Sequence, residues 1–186
     1  MAAALGGGEV TTPGVSLNPG RTGLLDVLAA MGVEVEAVPT GNVLGDPLGT
    51  VTVRGPVRHG IRVDGSLAVR TLDELPLVGL LGAVATGESV VADAAELRGK
   101  ETDRIASTVA LLTALGATAA TTADGFRVAG SGLRPGRFDA GGDHRLAMAA
   151  AVAATRAGRV DVVGSEAAAV SWPGFADTLE RMWSSR

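Results

Sequence analysis

Four times in 186 residues an apolar helical stretch runs into a glycine and then into a β-type stretch, and this recurring step limits the chain to few architectures. "TGLLDVLAAMGVEVEAV" reads as a helix, a stop at Gly32 and an alternating strand; "DRIASTVALLTALGATAATT" repeats it with Gly116. Each is followed by a further short strand, "TVTVRG" and "FRVAG", the second through an Asp124-Gly125 turn. "LPLVGLLGAVATGESVVAD", with Pro76 in its first turn and a stop at Gly87, and "HRLAMAAAVAATRAGRVDVVG", with Gly158, supply the step that precedes such a pair. The unit is helix–strand–helix–strand–strand, which places the chain in the α/β (α+β) class.

The two ends break the pattern. "AAALGGGEVTTPG" reads as the last turn of a helix and its strand, and the third unit ends on the helix "FADTLERMW". Irregular termini are common, but a start inside a helix leaves an apolar face without its turn. The pattern therefore predicts a single incomplete domain over residues 1–186, whose closing strands lie on other chain.

A hydrophobic content of 46% with 19% charged residues excludes a disordered chain. The net charge of −4, with no basic tract, argues against nucleic-acid binding by bulk electrostatics. No apolar run reaches the roughly 18 residues of a membrane span, and the first ten residues lack the basic and apolar regions of a signal peptide. Cysteine is absent and only two histidines occur, so neither a disulfide nor a metal centre is expected. Walker, Gly-x-Gly-x-x-Gly and serine-elbow motifs are missing, and no cofactor is expected.

Chemistry concentrates in two segments. In "ELRGKETDRIAS" (96–107) Lys100 is the one lysine in a chain with fifteen arginines. The apolar run begins at Ile105, so Lys100 to Arg104 are read as the first turn of a helix. Cations there oppose the helix dipole at about 0.3–1 kcal/mol each. An anion bound by free backbone N–H groups, Lys100 and Arg104 would compensate. A capping arrangement with a surface Glu101–Arg104 pair fits the same spacing. "AGGDHRLAMAAA" (140–151) repeats the oddity: Asp143 can cap, and His144 and Arg145 open an apolar helix. Asp73 and Glu74 before Pro76 read as helix caps, Arg21 follows a Pro-Gly turn, His59 reads as surface, and Trp172 and Trp183 read as core.

Together "NPGRTGLLDVLAAMG", "LDELPLVGLLGAVATG", "LRGKETDRIA", "GGDHRLAM" and "SWPGF" resemble the 5-enolpyruvylshikimate-3-phosphate synthase family, the enolpyruvyl transferases of the shikimate pathway and of aromatic amino acid biosynthesis. The order and separations of these segments are similar to that family's over nearly the whole chain. The resemblance implies an inside-out α/β barrel domain built from repeated β-α-β-α-β-β units, here a C-terminal domain without its N-terminal partner, and a cytoplasmic location.

It also implies a reaction: the enolpyruvyl group of phosphoenolpyruvate passes to the 5-hydroxyl of shikimate 3-phosphate, releasing phosphate. By motif, Glu101 is the implied proton donor to the methylene carbon, with Lys100 beside it. Lys100, Arg104 and Arg145 are implied to hold phosphoenolpyruvate, with His144 alongside, and Asp73 to contact the target hydroxyl. Two departures stand out. Val170 precedes "SWP" where some members carry a lysine, which bears on phosphoenolpyruvate and glyphosate-like inhibitors, and Gly99 stands where many have a β-branched residue. A non-catalytic anion-binding or interaction module, and a transferase with another acceptor, remain open from the residues alone.

Overall fold

The computed structural model describes residues 1–184. Three helices meet at the centre: α1 (Ala2–Gly6), α4 (Leu75–Val84) and α6 (His144–Ala157). Helix α4 is apolar all round and almost wholly buried, as a central helix must be. Helix α6 turns a stripe of Leu146, Ala147, Ala149, Ala150 and Ala153 inward, and small side chains let the helices approach closely.

Each central helix feeds the same outward path. From α1 the chain runs through β1 (Glu9–Ser16), α2 (Gly23–Ala30), β2 (Glu34–Val43) and β3 (Asp46–Arg54). Next come β4 (Arg62–Val63), α3 (Gly65–Arg70) and a single 3-10 turn (Leu72–Glu74) that leads into α4. The path then repeats through β5 (Glu88–Val91), a 3-10 segment (Ala95–Gly99), α5 (Arg104–Ala114), β6 (Thr118–Thr121) and β7 (Phe126–Ala129). The third passage has β8 (Gly136–Asp139), α6, β9 (Val160–Val163), a 3-10 segment (Ser165–Val170) and α7 (Phe175–Ser184).

The sheets keep the same order. The first is β1-β3-β2, the second β4-β5-β7-β6, the third β8-β9. Strand β5 pairs with β7 antiparallel as β1 does with β3, and β4 pairs with β5 parallel as β8 does with β9. The middle unit thus has all the strands of a β-α-β-α-β-β module, and the repeat read from the sequence is present in the fold.

Three details differ from the sequence reading. Gly32, Gly116 and Gly158 take positive φ just past their helices, as expected, but α4 ends at Val84, before Gly87. Ala85 is extended, and the Thr86 N–H donates to the Arg58 carbonyl at 2.9 Å, which pulls the chain off the helix axis. The Asp124-Gly125 pair lies in the β6–β7 hairpin turn as read, but Gly125 has no positive φ. It lies where a Cβ would come within 2.0 Å of the Val91 carbonyl oxygen, so its role is close approach of the β6–β7 turn to β5. Trp172 is not core: it is 48% exposed and meets Phe175 edge-on at 5.6 Å. Among the described residues no helix is long and apolar enough to cross a membrane.

Gly125→Ala should therefore cost stability on the overpacking scale of about 1–3 kcal/mol. In urea the midpoint should fall with an unchanged slope. An unchanged midpoint would mean that the turn moves freely away from β5.

Candidate functional site

The segment carrying Lys100 and Glu101 is not helical. Helix α5 starts at Arg104, and Asp103 is its N-cap, accepting from the Ala106 N–H at 3.0 Å. Lys100 and Glu101 lie in the bend before it, so the expected first-turn placement holds for Arg104 alone. This bend is clamped by Arg98. Its guanidinium donates to Asp103 at 2.8 Å and to the carbonyls of Thr122 (2.8 Å) and Ala123 (3.3 Å) in the β6–β7 turn. Gly99 has no positive φ and open space around it, so a β-branched side chain would fit there.

At the other segment Asp143 caps α6, accepting from the N–H groups of Arg145 (3.0 Å) and Leu146 (3.4 Å). Both helix starts are therefore satisfied by aspartates of the chain itself. The bound anion inferred from the dipole argument is not needed there, because Asp103 and Asp143 supply the negative charge.

Instead the two segments meet through side chains. Arg104 is 1% exposed. Its Nε donates to Asp143 Oδ2 at 2.7 Å and its Nη2 to Asp143 Oδ1 at 3.3 Å. The Nη2 also bonds Glu101, and Nη1 lies 3.7 Å from Asp73 Oδ1. Thr102 Oγ1 donates to Asp143 at 3.1 Å. Arg145 Nη2 donates to Asp73 Oδ2 at 2.9 Å, and His144 Nδ1 is 3.8 Å from Glu101. Lys100 pairs with Glu96 and lines one cleft with Asp73. All six residues singled out in the sequence, Asp73, Lys100, Glu101, Arg104, His144 and Arg145, thus lie in one neighbourhood built from three chain segments.

Asp73 and Glu74 do not cap α4 with their side chains, contrary to the sequence reading. Asp73 faces the arginines and Glu74 faces open clefts. On one side of the Asp73–Arg145 pair is a polar cleft of about 230 Å³, lined by Arg21, Glu74, Glu96 and Lys100 among others. On the other is an apolar cleft of about 250 Å³ with Pro76, Leu77, Met148, Trp172 and Phe175 in its wall.

Burial and the charge of Asp73 push the Glu74 carboxyl up from its ordinary range, against the pull of Arg145 and Arg21. Burial opposes ionisation of Asp143 as well, yet the hydrogen bond and charge of Arg104, with two backbone N–H groups, outweigh it and hold that carboxyl low. Sequence reasoning missed Asp143 as the charge partner of Arg104, and it missed Glu96, whose i,i+4 spacing to Lys100 was a visible signal.

Asp143→Ala strands a buried guanidinium and should destabilise the fold by about 3–5 kcal/mol in denaturant unfolding. Because the folded pKa of Asp143 is depressed, its contribution is present above the ordinary carboxylate value and lost as pH falls through the folded one. The acid limb of stability against pH should accordingly flatten in Asp143→Asn. Glu74 has the opposite sign. Its folded pKa is raised, so stability is lost as pH rises from its ordinary value through the folded one, and Glu74→Gln should gain on the parent chain across that rise. Parallel stability profiles of parent and variant would contradict the burial of Glu74.

Comparison with known proteins matches residues 1–179 to the family described as EPSP synthase (3-phosphoshikimate 1-carboxyvinyltransferase). The 3-phosphoshikimate 1-carboxyvinyltransferase of Roseiflexus castenholzii is 49% identical over 176 residues, 94% of this chain and 41% of that protein. The one from Herpetosiphon aurantiacus is 50% identical over 169 residues, 90% of this chain and 39% of that protein. A solved EPSP synthase from Acinetobacter baumannii superposes with a TM-score of 0.91 at 30% identity, covering 97% of this chain and 43% of that one. The chain thus spans about two-fifths of the length of the relatives it matches.

Proposed function

The chain belongs to the EPSP synthase family, and from that premise we propose that it carries the phosphoenolpyruvate side of an enolpyruvyl transfer to the 5-hydroxyl of shikimate 3-phosphate. The observation that carries this reading is the meeting of Asp73, Glu101, Arg104 and Arg145 beside Lys100, from segments up to 72 residues apart. Such a cluster suits a reaction that handles two multiply charged anions and two proton transfers.

In the proposed reaction the acceptor hydroxyl oxygen adds to C2 of phosphoenolpyruvate while the methylene carbon takes a proton. The methyl group so formed then gives up a proton, the double bond re-forms, and the C2–O bond to phosphate breaks. Glu101 is the donor to the methylene carbon. Its carboxyl group is aimed by the Arg104 guanidinium through Oε2, which leaves Oε1, 3.8 Å from His144 Nδ1, as the oxygen that carries the transferred proton. Asp73 contacts the acceptor hydroxyl and takes its proton as the oxygen adds to C2, and Glu101, left as the carboxylate after the first transfer, takes back the methyl proton as phosphate leaves. Lys100 and Arg145 hold the phosphoenolpyruvate anion, Arg145 by its fork and Lys100 as a mobile point charge.

Arg104 enters differently from the simplest expectation. Two faces of its fork are already taken by Asp143 and Glu101, and only Nη1, at 3.7 Å from Asp73, is loosely held. A ligand reaches Arg104 through that edge by drawing Asp73 aside. The same displacement frees Arg145 from Asp73, so substrate binding and release of the carboxylate are one event.

Activity, on this reading, also needs a second domain, supplied in cis or in trans, to close over the cleft and exclude water. The share of the relatives that the chain covers supports this. Turnover is expected in the cytoplasm and without a cofactor.

Mixing the chain with the remaining segment of a full-length relative should restore phosphate release from phosphoenolpyruvate and shikimate 3-phosphate. In that mixture Glu101→Gln should lower kcat by about 100-fold or more while phosphoenolpyruvate still binds. Turnover unaffected by Glu101→Gln would remove this residue from the chemistry.

A further inference from the structure

The polar cleft beside Asp73 has one cation that makes no direct side-chain contact, although its charge reaches Glu74. Arg70 is tied to Asp26 at 2.6 Å, and Lys100 to Glu96. Arg145, across the Asp73 carboxylate, is bonded to it at 2.9 Å. Among the described residues Arg21 is the remaining cation of this cleft, and its guanidinium makes no hydrogen bond or ion pair.

The backbone that carries Arg21 is fixed from several sides. Its own N–H donates to the Asn18 carbonyl at 2.8 Å, and the Gly20 N–H donates to Asn18 Oδ1 at 2.9 Å. Asn18 Nδ2 donates to Asp46 at the start of β3 at 2.9 Å, and Arg70 Nε donates to the Pro19 carbonyl at 2.7 Å. This turn is anchored to a hairpin and to a helix at once, so Arg21 is presented without a loop-ordering cost. The side chain also borders a second cleft with Thr12, Ser16 and Glu74.

Glu74 is the counterpart. It is half-buried, lines both clefts with Arg21, and accepts no hydrogen bond from another side chain among the described residues. A surface pair of this kind would close on itself if it served stability alone. Here the guanidinium and the carboxyl both line the same cleft, together with Asp73. A ligand with an anionic group at one end and hydroxyls at the other satisfies both.

The geometry points to Arg21 as the anchor for the anionic group of the hydroxylated acceptor, whose hydroxyl face lies toward Asp73 and Glu74. This rests on the enolpyruvyl-transfer reading and adds to it an acceptor-binding residue on this chain. A guanidinium fork takes either a carboxylate or a phosphoryl group in bidentate fashion, and the acceptor carries both.

The test follows the arginine Nε–H resonances of the 186-residue chain while shikimate 3-phosphate, shikimate or phosphoenolpyruvate is added. The Arg21 resonance should shift saturably with shikimate 3-phosphate. An equal shift with shikimate assigns Arg21 to the carboxylate, and a shift with the phosphorylated ligand alone assigns it to the phosphoryl group. Arg21→Gln should weaken shikimate 3-phosphate binding about tenfold, with phosphoenolpyruvate binding unchanged and Arg21→Lys recovering part of the loss. A response at Arg145 with none at Arg21, or equal affinity in Arg21→Gln, overturns the assignment and leaves the enolpyruvyl-transfer reading intact. Silence at both arginines with all three ligands overturns both.

Discussion

The pairing of Arg104 with Asp143 holds the centre of the molecule in register. Both side chains are withdrawn from water, and the carboxylate is wholly enclosed. Burying two charges is costly unless their remaining hydrogen-bonding capacity is met. Asp143 meets it with Arg104, with Thr102 and with two N–H groups of α6. One carboxylate therefore caps a helix of the third unit and neutralises the first residue of a helix in the second. Because α5 and α6 cannot slide without breaking both, the pair fixes how two repeats face each other, and with them the positions of Glu101 and Arg145.

This arrangement leaves the site balanced before any ligand arrives. Arg104, Arg145 and Lys100 face Asp73, Glu101, Asp143 and Glu96. Three cations opposite four carboxylates do not form an open anion hole, so a polyanion could bind there only by exchange of partners. Asp143 is the least exchangeable, since it is enclosed and fully bonded. Asp73 is shared between two arginines, bonded to Arg145 at 2.9 Å but reaching Arg104 only at 3.7 Å, so its contact with Arg104 is the loosest of the set. On the proposed reading, the residue that would meet the acceptor hydroxyl is also the one that binding of the donor anion would draw aside, so a single side chain would link the two substrates.

The repeat and the helix ends at Gly32, Gly116 and Gly158 were legible because they are local. Positive φ at Gly32, Gly116 and Gly158 follows from the need to leave a helix, and the apolar run of α4 marks a central helix. What could not be read depends on distant backbone or distant charge. Gly125 is explained by a carbonyl of β5 and the end of α4 by a hydrogen bond to residue 58. The membership of Asp73, Lys100, Glu101, Arg104, His144 and Arg145 in one neighbourhood followed from the resemblance and not from spacing. The dipole argument that singled out Arg104 and Arg145 picked two segments that meet in the fold, but its inferred anion is not needed, since Asp103 and Asp143 already occupy the helix starts. The anomaly of a cation at a helix start was real, and its resolution was a carboxylate from another repeat.

The repeats are equivalent in path but not in chemistry, and the difference shapes the site. The 3-10 segment and helix after β5 carry "ELRGKETDRIAS", and those after β9 carry "SEAAAVSWPGFAD". The first supplies Glu96, Lys100 and Glu101 to a polar cleft. The second, at the equivalent place, supplies Trp172 and Phe175 to an apolar one. The Asp73–Arg145 pair stands on the boundary between them. An apolar wall on one side limits water there and strengthens the charge interactions of the pair, while the polar side stays open to ligand. A duplicated scaffold has in this way placed a low-dielectric surface and a charged one on either side of the carboxylate assigned to the acceptor hydroxyl, and the asymmetry lies in a dozen residues at one position of the repeat.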